Sequence, residues 1–377
     1  MAMVLTEDQT LLKNSAAEFC KAQSPIESMR DLRDNKDETG YSAEIWQAMV
    51  DMGWTGAIFP EELGGFGFGY QGIGLAMEET GKTLVNSPLL SHAVLSGSLI
   101  MCGGTDAQKE ELIPAIITAE QLYTAAIDEG AAHDPARIAM TATKSGDGYT
   151  LSGEKKFVLD GHTAGQLIVA ARTSGNAGDE SGITLFLVDA KASGVTVTRT
   201  HMVDSKNMAN ISFDNAPATA VFGEVDRGFA PLNQALDRAR VCLAAEMLGG
   251  CIEVFDVTIE YMKTRVQFDV AIGTFQALQH RAAEVFGEVE MAKSVVLEAL
   301  TAIDEGSGDV PLLASLAKAK LNDIYHLVSS EGIQLHGGIG MTDECNLGFY
   351  LKRSRVASQT FGSSRYHRNR YATLKGY

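Results

Sequence analysis

The sequence predicts an α+β chain that is mostly α: an N-terminal helical domain, a small middle β domain and a C-terminal helical bundle. Three observations predict it. Apolar residues recur close to a 3.6-residue period before residue 120 and again after residue 228. Between these stretches lie short runs rich in β-branched residues, separated by Gly and Asp turns about ten residues apart. The length, 377 residues, gives two or three domains at about 150 residues each, and composition shifts place them at 1–120, 121–226 and 227–377.

Each element has its own signal. Asp8 to Lys21 carries Leu11, Leu12, Ala16, Ala17 and Cys20 at helical spacing. Ser42 to Met52 opens on a capping Ser and sets Ile45, Trp46, Met49 and Val50 on one side. Ile58 to Gly69 is rich in Pro and Gly and predicts a loop. Tyr70 to Gly81, Ser91 to Cys102 and Asp106 to Ile116 predict helices, with Gly103-Gly104 stopping the second. Strands are predicted at 148–153, 156–159, 166–173, 183–188, 195–200 and 210–213, and their spacing suggests an antiparallel domain. Long helices follow at Phe229 to Arg265, Phe275 to Ile303 and Leu312 to Gln334, the last led in by Pro311. Helices of this length in one block predict a bundle.

Composition excludes several classes. A hydrophobic fraction of 45% and a charged fraction of 21% are those of a globular protein. Acidic residues outnumber basic ones 48 to 31, a net charge of −17, which disfavours nucleic acid as a partner. The five cysteines are spread out with no C-x-x-C, and the eight histidines lack H-x-x-x-H spacing, so no metal site is signalled. Met1 to Leu12 shows no secretory leader and no run reaches 18 apolar residues, so the expectation is a cytoplasmic chain without a membrane segment. Gly348 to Tyr377 holds seven basic residues and no acid, which suits either phosphate binding or a solvated, subunit-contacting end.

Five strings, in order along the chain, carry a resemblance: Phe59-Pro-Glu-Glu-Leu-Gly-Gly65, Leu151-Ser-Gly-Glu-Lys-Lys-Phe-Val158, Lys263-Thr-Arg-Val-Gln-Phe268, Gln334-Leu-His-Gly-Gly-Ile-Gly340 and Leu351-Lys-Arg-Ser-Arg355. The chain resembles the acyl-CoA dehydrogenases over its whole length. The resemblance implies a four-helix C-terminal bundle, FAD as cofactor, an acyl-CoA thioester as substrate and α,β-dehydrogenation as reaction. It also implies an electron-transferring flavoprotein as oxidant, and a homo-oligomer (dimer or tetramer) or a heterotetramer with a related chain.

That reaction needs a base for the α C–H, usually a carboxylate in a desolvated pocket. The family's commonest glutamate, in a Tyr-Glu-Gly-Thr string, falls here on Phe361; a second position, early in the long helix, falls on Ala239. Glu246 lies seven residues beyond Ala239, two helical turns on and nearly the same side, among apolar and small neighbours. A bacterial branch that includes steroid side-chain enzymes resembles this stretch, and Glu246 is the expected base. The competing reading is a buried glutamate paired with an Arg such as Arg240. Without its base, the chain would be a framework subunit of a two-chain complex.

The resemblance also assigns a flavin site. Arg265, Gln267 and Phe268 match the string that holds the pyrophosphate and adenine ends, and Arg265 has the planar fork that suits phosphate. Gln334, Gly337 and Gly338 match a turn that lets backbone approach the ADP half. The ring is normally held by a Thr-Glu-Pro loop and an aromatic-x-Thr strand, which fall on Ala125 to Gly130 and on Phe157-Val-Leu159. Ala126 and Ile127 then offer backbone, Phe157 keeps the aromatic wall, and Ile127 and Leu159 stand in place of two hydroxyls. Phe157 could equally be plain core.

Overall fold

A computed structural model describes residues 5–377. Met1–Val4, which begin the stretch read above as lacking a leader, lie outside the described residues.

Helix α1 (Glu7–Gln23) opens on a reciprocal cap. The Thr6 hydroxyl accepts the Gln9 N–H at 3.2 Å and Gln9 Oε1 accepts the Thr6 N–H at 3.0 Å. Helix α2 (Ile26–Asp34), which the periodicity did not predict, precedes α3 (Ala43–Asp51), capped by Ser42 as expected. The 58–69 loop holds one 3₁₀ turn at Glu61–Leu63, closed by Gly64 at φ +85°. Helix α4 (Gly69–Lys82) follows. The helix expected from Ser91 begins instead as a π-helix at Leu90–Ser96 and becomes α5 (Gly97–Gly103). The Ser96 hydroxyl donates to the Ser91 carbonyl, five residues back, at 2.8 Å, which suits the wider π turn. Helix α6 (Asp106–Thr118) has a Thr105–Gln108 capping box.

The strands are β1 (Tyr123–Ala126), β2 (Thr141–Ser145), β3 (Gly148–Leu159), β4 (Gln166–Arg172), β5 (Ile183–Asp189), β6 (Val195–His201), β7 (Asn207–Pro217) and β8 (Ala220–Phe222). They form one sheet in the order β6-β7-β3-β2-β4-β5-β8, with β1 beside β4. Pairing is antiparallel except that β1 and β2 each meet β4 in parallel. The two short strands expected at 148–153 and 156–159 are one bulged strand. Its register to β7 shifts between Leu151 and Gly153 and again between Lys155 and Val158.

Helix α7 (Phe229–Thr264) is 36 residues long. A hairpin, β9 (Val266–Gln267) and β10 (Val270–Ala271), leads to α8 (Gln276–Asp304), α9 (Val310–His336), α10 (Leu347–Ala357) and α11 (Ser364–Leu374). The chain separates into two compact units. A helical unit runs through Asp34, Tyr70–Val85 and Arg240–Tyr377; a sheet unit takes Asn35–Gly69 and Asn86–Ala239.

In the helical unit α4 and α7 meet backbone to backbone. A Cβ on Gly81 would lie 1.9 Å from the Glu246 carbonyl oxygen, and one on Gly249 would lie 1.8 Å from that of Glu78. Glycine is required at both contacts. In the sheet unit the π-helix is buried throughout and carries His92, whose Nε2 donates to the Ile116 carbonyl at 2.9 Å while Nδ1 accepts the Tyr123 N–H at 3.0 Å. Burial lowers the His92 pKa to about 4, so the ring sits neutral. The five cysteines are free, and burial pushes the Cys20 thiol up to about 12.

Candidate active site

Helix α7 places Glu246 inside the helical unit, only 6% exposed. Its Oε1 accepts from Arg353 Nη1 of α10 at 3.1 Å, and the two side chains are 7% and 3% exposed. A partner of Glu246 is thus Arg353, remote in sequence from the Arg240 weighed above. The close contact with α4 fixes the backbone that carries this carboxylate. One turn on, the hydroxyl of Tyr325 (α9) lies where a Cβ on Gly250 would be 2.3 Å away. That hydroxyl is buried without a hydrogen-bond partner, and burial raises its pKa well above that of an ordinary tyrosine.

The turn that carries Phe361 is built with care, although it bears no acid. Phe361 has φ +57° and Gly362 φ +120°. The Phe361 carbonyl accepts from Arg240 Nε at 3.2 Å and His367 Nε2 at 3.0 Å. The Gly362 carbonyl accepts from Lys318 Nζ and Asn322 Nδ2, each at 3.3 Å. Arg240, Lys318 and His367 are completely buried, as is Ala239 at the second expected base position.

Residues matched to the pyrophosphate and adenine ends gather at one end of the helical unit. A small core of Met262, Ile272 and Leu335 ties the end of α7, the segment after the hairpin and the end of α9. Tyr261 stacks on His336 at 4.1 Å. Here Arg265, Gln267 and Gln334 are exposed, and Phe268 is 87% exposed at φ +53°. A Cβ on Gly337 or Gly338 would meet nothing within 4 Å. Much of the basic C-terminal run is structural. Lys352 lies over the Phe349 ring, Arg353 holds Glu246, Arg368 pairs with Asp323, and Arg370 donates to Pro311 O and Ser315 Oγ.

The sheet unit carries the residues matched to the ring. Ala126, Ile127 and Leu159 are buried, whereas the bulge in β3 turns Phe157 outward, 42% exposed at φ +52°. The same bulge buries Lys155. Its Nζ donates to the Ile127 carbonyl and to Glu129 Oε1, both at 2.8 Å. The Glu129 carboxylate also accepts the N–H groups of Ala139 and Met140 at 2.8 and 3.0 Å. Asp128 pairs with His133 at 2.8 Å through Oδ2, while its Oδ1 is buried without a partner. Asp128, Glu129, His133, Lys155, Tyr325 and Arg353 were not singled out as site residues, although Asp128, Glu129, Lys155 and Arg353 lie in strings that the sequence had marked.

Each set fits FAD in its own way. Exposed Arg265 and the open Gly337-Gly338 turn suit a phosphate-bearing end. The outward Phe157 and the open space around Gly130 suit a flat ring.

Family models for the N-terminal, middle and C-terminal domains of acyl-CoA dehydrogenases match residues 6–120, 124–216 and 226–373. The chain belongs to the acyl-CoA dehydrogenase family. It is an oxidoreductase of that FAD-dependent family, with the family's mostly helical fold around a middle β domain. The 3-(aryl)acrylate reductase of Clostridium sporogenes is 30% identical over 372 residues, covering 96% of this chain and 97% of the relative. The CarC subunit of the caffeyl-CoA reductase–Etf complex of Acetobacterium woodii is 28% identical, covering 96% of each. A solved Tcur3481–Tcur3483 steroid acyl-CoA dehydrogenase variant superposes with a TM-score of 0.88 at 29% identity over 98% of each chain. Among the described residues no helix of this acyl-CoA dehydrogenase is long and apolar enough to cross a membrane.

Proposed function

We propose that the chain interconverts an acyl-CoA thioester and its α,β-unsaturated form, with Glu246 taking the α-proton in the dehydrogenating direction. The observation that carries this reading is a carboxylate sealed inside the helical unit, on a helix held close to its neighbour by glycine contacts, and paired with the Arg353 guanidinium. When bound, FAD supplies the acceptor for the β-hydride. Arg353 holds the Glu246 oxygen in place. Run backward, Glu246 returns the proton, the direction named in the Clostridium and Acetobacterium relatives. The Etf in the name of the Acetobacterium complex supports an electron-transferring flavoprotein as redox partner.

Anaerobic titration of the purified holoenzyme with acyl-CoA esters tests the assignment. Glu246→Gln should keep its FAD and lose flavin bleaching by about 10²–10⁴-fold; bleaching at the wild-type rate would remove Glu246 from the chemistry. A second reading, a framework chain of a two-chain complex, is favoured by one observation: Glu246 is already engaged by Arg353 while Phe361 occupies the commonest base position. Its signature is a chain that bleaches only when a second family chain is added.

A further inference from the structure

We propose that a groove on another side of α7 from Glu246 is a binding site for a medium-chain monocarboxylic acid, its tail between α4, α7 and α8 and its carboxylate on Lys293. This site goes beyond the function proposed above and does not depend on it. The groove lies wholly within the helical unit, is partly open to solvent and holds about 300 Å³. Its apolar walls include Leu75 of α4, Leu248 and Ile252 of α7, and Val296, Leu297 and Leu300 of α8. Leu248 and Ile252 are four residues apart and share a face of α7. Glu246 comes two residues before Leu248, about 200° round the helix, so the carboxylate paired with Arg353 is not part of the groove.

The helices around the groove cannot close to fill it. The Gly81 and Gly249 contacts already bring α4 and α7 to backbone contact. A Cβ on Gly74 would lie 2.5 Å from Leu300 Cδ1, so α4 and α8 also meet with no slack. Close-packed elements of this kind keep the space they enclose. An apolar space of this size suits an apolar occupant. A ~150 Å³ apolar cavity takes up benzene, so about 300 Å³ has room for a chain of roughly eight to ten carbons.

Charge at the rim selects the head group. Lys13, Lys82, Lys293 and Glu78 line the groove beside the apolar walls. Lys13 Nζ donates to Glu78 Oε1 at 2.6 Å, and Lys82 Nζ donates to Glu79 Oε1 at 2.8 Å. These glutamate side chains are 10% and 4% exposed, so neither lysine can leave without stranding a buried carboxylate. Lys293 is placed differently. Its 2.6 Å pair with Glu290 lies at the surface, the side chains 44% and 45% exposed. Such a pair is worth little, so Lys293 can exchange Glu290 for a carboxylate at the end of the groove. One exchangeable cation matches one negative charge. The phosphates of a CoA ester would find the other two lysines already committed, so the ligand is the free acid and not its thioester.

Calorimetric titration of the purified holoenzyme with sodium butyrate, hexanoate and octanoate tests the site. Affinity should rise about two- to fourfold with each added methylene, because each one leaves water for the apolar walls. Lys293→Met keeps the apolar stem and removes the charge. It should weaken octanoate about fivefold and leave 1-octanol binding unchanged. Leu297→Trp fills the groove and should abolish the binding of both. Saturating the holoenzyme with an acyl-CoA should leave octanoate binding as it was, and octanoate should leave the flavin spectrum unaltered. Octanoate that binds equally to wild type, Lys293→Met and Leu297→Trp, or that an acyl-CoA displaces, sits elsewhere and overturns the proposal. A wild type that takes up no octanoate at millimolar concentration overturns it too, and leaves the role proposed for Glu246 untouched.

Discussion

Lys155 and Lys318 are both completely buried, one in each unit, and they are satisfied in opposite ways. Lys155 has a carboxylate, Glu129, and one carbonyl. Lys318 has three neutral oxygens: Asn322 Oδ1 at 2.6 Å, Ala357 O at 2.8 Å and Gly362 O at 3.3 Å. Burial lowers both pKa values; Glu129 works against the fall at Lys155, whereas Arg240 adds to it at Lys318. Three acceptors match the three protons of an ammonium, so the Lys318 cage fits the charged form that burial disfavours. The pair braces a loop through charge, and the cage braces a turn through geometry.

Breaking the pair should cost more than emptying the cage. Lys155→Met strands Glu129, whose side chain is 19% exposed, and removing one member of a buried pair costs about 3–5 kcal/mol. Thermal unfolding should show the loss, and FAD retention should fall with it because the 127–133 loop loses its brace. Glu129→Gln, which strands the fully buried Lys155, should also be costly; if it leaves stability unchanged, the charge is not what matters, and the contrast with Lys318 fails.

A buried group that stays neutral sharpens the point from the other side. His92 has a folded pKa of about 4, against 6.5 for the free residue. The folded state thus binds fewer protons than the unfolded state, and stability falls as pH drops. The contribution is full above pH 6.5 and fades toward pH 4, roughly 3 kcal/mol in all. Denaturant melts across that window should fall in step, and His92→Gln should flatten the pH slope.

Lys318→Met should cost less, about 1–3 kcal/mol. It removes a buried amine that has no carboxylate among its hydrogen-bond partners, and it leaves polar oxygens of which Gly362 O keeps Asn322. A loss as large as that of Lys155→Met would show that the neutral cage is worth as much as the ion pair.

These contrasts were not legible in the sequence, for a geometric reason. The long helices were, because their periodicity is local. Ser42 announced its helix, and Gly103 ended one. The parallel β1–β4 pairing joins strands about 40 residues apart, and the β3 bulge is set by its partner strand. The same holds for partners. Arg240 was the Arg nearest Glu246 in sequence, but six residues is 600° of helix, which turns it about 120° away. Arg353, which the structure does place on Glu246, lies 107 residues on. Apolar isolation marked Glu246 as buried; nothing local could name what it touches.

The smallest effect expected is at Tyr325, and its sign is informative. The ring is 1% exposed and its hydroxyl has no partner, near the Glu246–Arg353 pair. An unsatisfied buried hydroxyl is itself a cost, so Tyr325→Phe should leave stability unchanged or raise it by up to about 1 kcal/mol. A buried water bridging the hydroxyl to the pair would reverse the sign, since its loss would destabilise by about 1 kcal/mol. The pH profile of flavin reduction separates the cases further. A water-bridged hydroxyl would help set the proton affinity of Glu246, and Tyr325→Phe would shift the profile. A hydroxyl that touches nothing would leave it where it is.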